Sequence, residues 1–73
     1  MQNDEDLKKI GSKIKKLRKE KNYTSHENFA FEHEISSSFY WSVENGRNMR
    51  LDYFLTLLKK LETNPKDFFE DWE

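Results

Sequence analysis

The stretch Ile35-Ser36-Ser37-Ser38-Phe39-Tyr40-Trp41-Ser42-Val43-Glu44-Asn45-Gly46 decides the fold. Serine caps a helix start because its hydroxyl accepts from backbone N–H groups that have no partner in the first turn. Asn-Gly ends a helix because both residues tolerate left-handed backbone. Between these signals, at about 100° per residue, Ser36, Tyr40, Val43 and Glu44 cluster on one side, and Ser38 and Ser42 point the opposite way. Immediately upstream, a second short helix is expected, with Phe29, Ala30 and His33 facing inward. A small side chain such as Ala30 suits two helices that cross at close range. Two short helices crossing steeply through a tight turn make a helix-turn-helix.

Working outward, apolar residues keep helical spacing almost throughout the chain. Leu7, Ile10, Ile14 and Leu17 lie on one face of a first helix expected over about 4–21. Asn3 suits its N-cap, three acids suit the positive end of its dipole, and Asn22 is the stop. Either Ser25 or Thr24, the latter in a capping box with Glu27, can start the second helix, and Ser36 or Ser37 the third. Leu51, Phe54, Leu55, Leu58 and Leu61 give a fourth helix its apolar face. Asn64-Pro65-Lys66-Asp67 opens a fifth with a cap, a proline at the first position and an acid at the third. Phe68, Phe69 and Trp72 form that helix's apolar side. The expectation is all-α: one helix-turn-helix domain over 1–73, with the motif at about 24–45 and the last two helices at about 51–72.

The 73 residues make a small domain whose capacity to bury surface is marginal. Only 34% of them are hydrophobic and 37% are charged, so the aromatics, at 15%, must fill much of the core. There is no cysteine, which removes disulfides and thiolate metal sites. Met1-Gln2-Asn3-Asp4-Glu5-Asp6 is acidic and lacks the apolar run of a signal peptide, and nothing approaches the roughly 20 apolar residues of a membrane span. A cytoplasmic protein is expected. The net charge of −1 hides an uneven distribution. Eight of the 13 basic residues fall in 8–21: Lys8, Lys9, Lys13, Lys15, Lys16, Arg18, Lys19 and Lys21. No Lys or Arg occurs from Asn22 to Gly46, where Glu27, Glu32, Glu34 and Glu44 stand, and Arg47 and Arg50 follow at once.

Nothing in this pattern points to catalysis. There is no glycine-rich phosphate loop, no thiol, and no acid or base that the sequence places in a cleft. His26 and His33, with Glu27 and Glu34 beside them, share a face only on a continuous helix, and a helix this short and exposed offers no pocket for a metal. No cofactor and no small-molecule ligand is expected. Trp41, on the edge of the outward face of the third helix, packs on sugar and phosphate or on a thymine methyl, or else completes the aromatic core beside Phe39 and Tyr40. Three large aromatics at the chain end exceed what one small core obviously needs. Phe68, Phe69 and Trp72 either close the monomer core or form a homodimer seam through the fifth helix with the fourth beside it, and the seam is expected.

Taken together, Ile10-Gly11-x-x-Ile14-Lys15-x-Leu17-Arg18, Phe29-Ala30, Ile35-Ser36, Val43-Glu44-Asn45-Gly46 and Asn64-Pro65-Lys66-Asp67-Phe68-Phe69 resemble the phage-repressor-like (Xre-type, Cro/CI-like) helix-turn-helix family. The resemblance implies a compact five-helix, lambda-repressor-like domain that binds double-stranded DNA as a dimer and regulates transcription. By position, it implies base-edge contacts from Ser36, Ser37, Ser38 and Ser42. It implies backbone contacts from Ser25 and His26 at the start of the second helix and from Asn45, Arg47 and Arg50 after the third. It also implies an internal ion pair between Arg18 and Glu44. Two departures carry consequences. Serine is too short for the bidentate contacts that discriminate bases best. Glu34 stands where a glycine is common, and if that position needs positive φ, glutamate costs on the order of 1 kcal/mol there. The acidic helix-turn-helix also leaves room for a different role, as a module that captures a basic protein partner.

Overall fold

The computed structural model describes residues 3–72, and Asn3 by its backbone alone. Five helices follow one another: α1 (Asn3–Glu20), α2 (His26–Glu32), α3 (Ser37–Glu44), α4 (Leu51–Lys60) and α5 (Pro65–Phe68). No strand occurs among the described residues. Helix α1 begins with Asp4, Glu5 and Asp6 in its first turn. The cap expected from the Asn3 side chain lies outside what is described.

Local chemistry sets the other ends. The Ser25 hydroxyl accepts from the Asn28 N–H at 3.0 Å, so Ser25 rather than Thr24 caps α2. The Asn64 side chain accepts from the Asp67 N–H at 2.9 Å and starts α5. Asn22 takes left-handed backbone at φ 71°, which ends α1, and Gly46 does so at φ 98° after α3. Glu34 does hold positive φ, at 59°, in the turn between α2 and α3. Glu62, at φ 61°, does the same after α4, at a place where no Gly or Asn marks the turn.

The core gathers Ile14 of α1, Phe29 and Ala30 of α2, Tyr40 and Val43 of α3, Phe54, Leu57 and Leu58 of α4, Leu61, and Phe68 of α5. Aromatic rings tie the elements together. Phe29 meets Tyr40 at 4.9 Å between centroids, Tyr23 at 5.1 Å and His33 at 4.4 Å. At the other end, Phe54 meets Phe68 edge-on at 5.4 Å. Helix α1 packs against α3 because Gly11 permits it: a Cβ there would stand 2.6 Å from the Val43 carbonyl oxygen and 2.7 Å from that of Glu44.

Three expectations are corrected. On α4 the core side is Phe54, Leu57 and Leu58, whereas Leu51 and Leu55 are 71% and 40% exposed. Phe54, Leu58 and Leu61 of the expected face are core; the buried side is turned so that Leu57 joins them and Leu51 and Leu55 do not. Helix α5 is a single turn that ends at Phe68, and Phe69–Trp72 continue as turns, not to 72 as helix. Phe68 is buried in the core, so of the three aromatics expected at a dimer seam only Phe69 and Trp72 retain surface. Trp72 lies beside α1, with the Lys9 ammonium 5.2 Å from its ring centroid, and Lys13 pairs with Asp71 at 2.7 Å. The tail therefore folds back along the first helix.

Candidate nucleic-acid interface

The inner face of α3 is fixed by a buried ion pair. Arg18 Nε donates to one carboxylate oxygen of Glu44 at 2.8 Å, and its second nitrogen donates to the other oxygen at 3.1 Å. Both side chains are 4% exposed. The remaining guanidinium nitrogen donates to the Tyr23 carbonyl at 2.9 Å, so one arginine links α1, the α1–α2 turn and α3. The hydrogen bond to Glu44 holds the Arg18 guanidinium above its ordinary pKa, against the opposing effect of burial. Tyr40, next to this pair, is pushed upward mainly by burial, with Glu44 adding to the shift. Its hydroxyl is buried without a hydrogen-bond partner among the described residues.

The outer face of α3 carries short polar groups. Ser36 is the cap, its oxygen accepting from the Phe39 N–H at 3.4 Å and lying 3.3 Å from the Ser38 hydroxyl. Ser42 is turned back on its own helix, donating to the Phe39 carbonyl at 2.6 Å. Ser37 and Ser38 are exposed, one turn ahead of Trp41. Trp41 is 51% exposed, on the outward side and not inside the aromatic core. The four serines thus divide: Ser37 and Ser38 present hydroxyls outward, while Ser36 and Ser42 are engaged with their own backbone.

The flanks of this face hold the other candidates. Ser25 and His26, at the start of α2, are half-buried. At the far end, the Asn45 side chain donates to the Trp41 carbonyl at 2.8 Å, which closes the last turn of α3. Arg47 is held close by, its N–H donating to the Ser42 carbonyl at 3.0 Å. Its guanidinium lies over the Phe39 ring, 5.0 Å from the centroid. Arg50 instead pairs with Asp52 at 3.2 Å. Between α3 and α4, Arg47 and Arg50 border an open groove of about 550 Å³ that Phe39, Met49 and Tyr53 also line. Phe39 was not singled out as a site residue from the sequence. The available signal was its place one residue before Tyr40, which turns it off the core centre toward the Arg47 loop.

The arrangement offers hydrogen-bonding hydroxyls and an indole edge on an outward helix, between a capped helix start and a pair of arginines. No group of three or more His, Cys, Asp or Glu able to hold a metal occurs among the described residues, and no described helix is long and apolar enough to cross a membrane.

No model of a known protein family matches the chain, and neither does any solved structure. The chain is 39% identical over 70 residues to the control protein C.MunI of a Mycoplasma species, an alignment covering 93% of this chain and 95% of that protein. The chain belongs to the control-protein family of helix-turn-helix regulators. In that family's terms, α2 and α3 are the helix-turn-helix, and α1 is the support against which α3 is set.

Proposed function

We propose that this control-family protein is a sequence-specific, repressor-like transcription regulator of the Xre type, binding DNA as a homodimer with α3 in the major groove. The observation that carries the reading is the outward row of Ser37, Ser38 and Trp41 on a helix whose opposite side is locked to α1, in a chain related along its length to a control protein. Ser37 and Ser38 reach base edges. Ser25 and His26 at one end, and Asn45, Arg47 and Arg50 at the other, meet phosphates, which position the helix without specifying sequence. Because hydroxyl contacts are short, DNA shape and bendability supply much of the discrimination.

One protomer measures 31 × 24 × 21 Å and offers one reading helix. Half-sites one turn of duplex apart, roughly 34 Å, therefore call for a second copy. The seam suited to it is the exposed apolar side of α4, Leu51 and Leu55, continued by Phe69 at 37% exposure. The regulated genes we propose are the protein's own and those of a restriction-modification system.

Fluorescence anisotropy of duplex from upstream of its own gene, beside scrambled duplex at two salt concentrations, tests this. Tight binding that prefers the native sequence is expected. Weak binding, equal for both duplexes and abolished by salt, would overturn sequence-specific regulation.

One observation favours a second reading, as a module for a basic protein partner. Phe31 is 85% exposed on α2, one turn from Glu27 and next to Glu32, in a segment without Lys or Arg. Under that reading, Phe31→Ser abolishes partner capture and leaves DNA affinity unchanged.

A further inference from the structure

We propose that Phe39 is a positioning residue for DNA binding, its ring serving as the platform that holds the Arg47 guanidinium ready for a backbone phosphate. This deepens the reading of α3 as a DNA helix and rests on it. Phe39 is half-buried on α3 and packs against the core, and its ring meets two further side chains. On one side Tyr53 of α4 meets it edge-on, with ring centroids 5.0 Å apart and planes at 82°. On the other lies the Arg47 guanidinium. Three elements thus stack in the order α4, α3, loop, and the ring cannot tilt without disturbing Tyr53.

The two arginines of this loop are held in different ways. Arg50 is drawn to Asp52, so a phosphate must compete with a carboxylate already present. Arg47 has no carboxylate partner among the described residues. Its backbone is pinned to the Ser42 carbonyl, and its side chain rests on a ring that attracts the cation but takes none of its N–H groups. A guanidinium stacked in this way keeps its planar donor fork available and loses less freedom when it pairs bidentately with a phosphate. The groove it borders is open to solvent. Phe39 therefore need not touch DNA to matter for affinity. It acts through Arg47.

The test is a double-mutant cycle read by anisotropy on the upstream duplex. Phe39→Leu is expected to weaken binding about two- to fivefold, the worth of an exposed cation–π contact. Phe39→Tyr, which keeps an aromatic face, should bind like the wild type. In the R47A background, Phe39→Leu should have no further effect, because the group it positions is gone. Equal loss from Phe39→Leu in both backgrounds overturns the proposal, since Phe39 would then act only by packing α3 against α4.

If Phe39→Leu folds poorly, the wild-type protein still decides. Nuclear magnetic resonance should show the Arg47 δ-methylene protons shifted upfield by the ring current, and random-coil positions overturn the stacking. A wild-type protein without affinity for duplex overturns both readings. Wild-type binding with uncoupled substitutions overturns this one alone.

Discussion

The two sides of α3 are built on opposite principles. Its inner side is over-determined: Tyr40, Val43 and Glu44 are all buried, Glu44 is chelated by Arg18, and the main chain lies so close to Gly11 that no side chain fits between. Its outer side is sparse, with two exposed serines and a half-exposed tryptophan. The difference shows how a small protein can hold a surface in place without using that surface. The orientation of the helix is set wholly from behind, so its outward residues are free to be short.

The largest expected effect comes from removing the inner anchor. Glu44→Ala leaves the Arg18 guanidinium buried and unpaired, and should destabilise the fold by about 3–5 kcal/mol, the cost of orphaning a buried charge. Chemical denaturation measures it. The companion Arg18→Met/Glu44→Leu variant should recover most of that loss, because desolvating the pair offsets much of its attraction. A double variant as unstable as Glu44→Ala would mean that the arginine's bond to Tyr23, not the ion pair, is what matters. The raised pKa of Arg18 gives the sign of its pH dependence. Its contribution is fully present below the ordinary arginine value and is lost only as pH rises through the raised one, so moderate alkali should leave the anchor intact.

Gly11→Ala ranks next. The new methyl meets two backbone oxygens, which cannot swing aside as a flexible side chain would. A cost of about 1–3 kcal/mol is expected, which is roughly 4–8 °C of Tm per kcal/mol in a chain of this size. Because the strain pushes α3 away from α1, DNA affinity should fall even under conditions where the variant remains folded. An unchanged Tm would show that α3 is less firmly set than the inner face implies.

How much of this was readable in the sequence depended on how local the cause was. Ser25, Asn64 and Asn22 mark helix ends through bonds or backbone angles spanning at most three residues, and they do so here. The outward direction of Ser38 followed from helical phase alone. The face of α4 followed in part: Phe54, Leu58 and Leu61 are buried as expected, but helical spacing does not by itself choose between Leu55 and Leu57 for the place beside them. Proline and a cap announced where α5 starts, but nothing so definite marks its end, and the helix stops after one turn. The inward turn of Ser42 was equally hidden, because a serine in the last turns of a helix can bond either its own backbone or an outside group. Phe39 escaped notice because its partners, Tyr53 and Arg47, come from segments that only the fold brings together.

A smaller effect addresses the outer side. Ser38→Ala removes an exposed hydroxyl that lies within hydrogen-bond distance of the Ser36 cap, so stability should stay within about 0.5 kcal/mol of the wild type. What should change is the ranking of operators, measured by competition among single-base variants of the upstream duplex. A shift confined to one or two base positions fits a direct contact by Ser38. A uniform loss across all duplexes, of the kind expected of Arg47→Ala, would erase the distinction between base readers and phosphate clamps.

The smallest expected effect lies away from both faces of α3. Lys13 holds the exposed Asp71 carboxyl below its ordinary pKa, chiefly through their hydrogen bond, and with Lys9 over Trp72 this straps the tail to α1. A carboxyl with a lowered folded pKa contributes above its unfolded value and stops contributing as pH falls through the folded one. Acid should therefore release the strap. Trp72 emission, followed in a Trp41→Phe background, should shift in that acid range, and Asp71→Asn should show the released signal already at neutral pH. DNA affinity should be the same with and without the strap at equal salt. If Asp71→Asn weakens binding, the setting of α3 extends through α1 to the tail, and the division between a locked inner side and an independent remainder no longer holds.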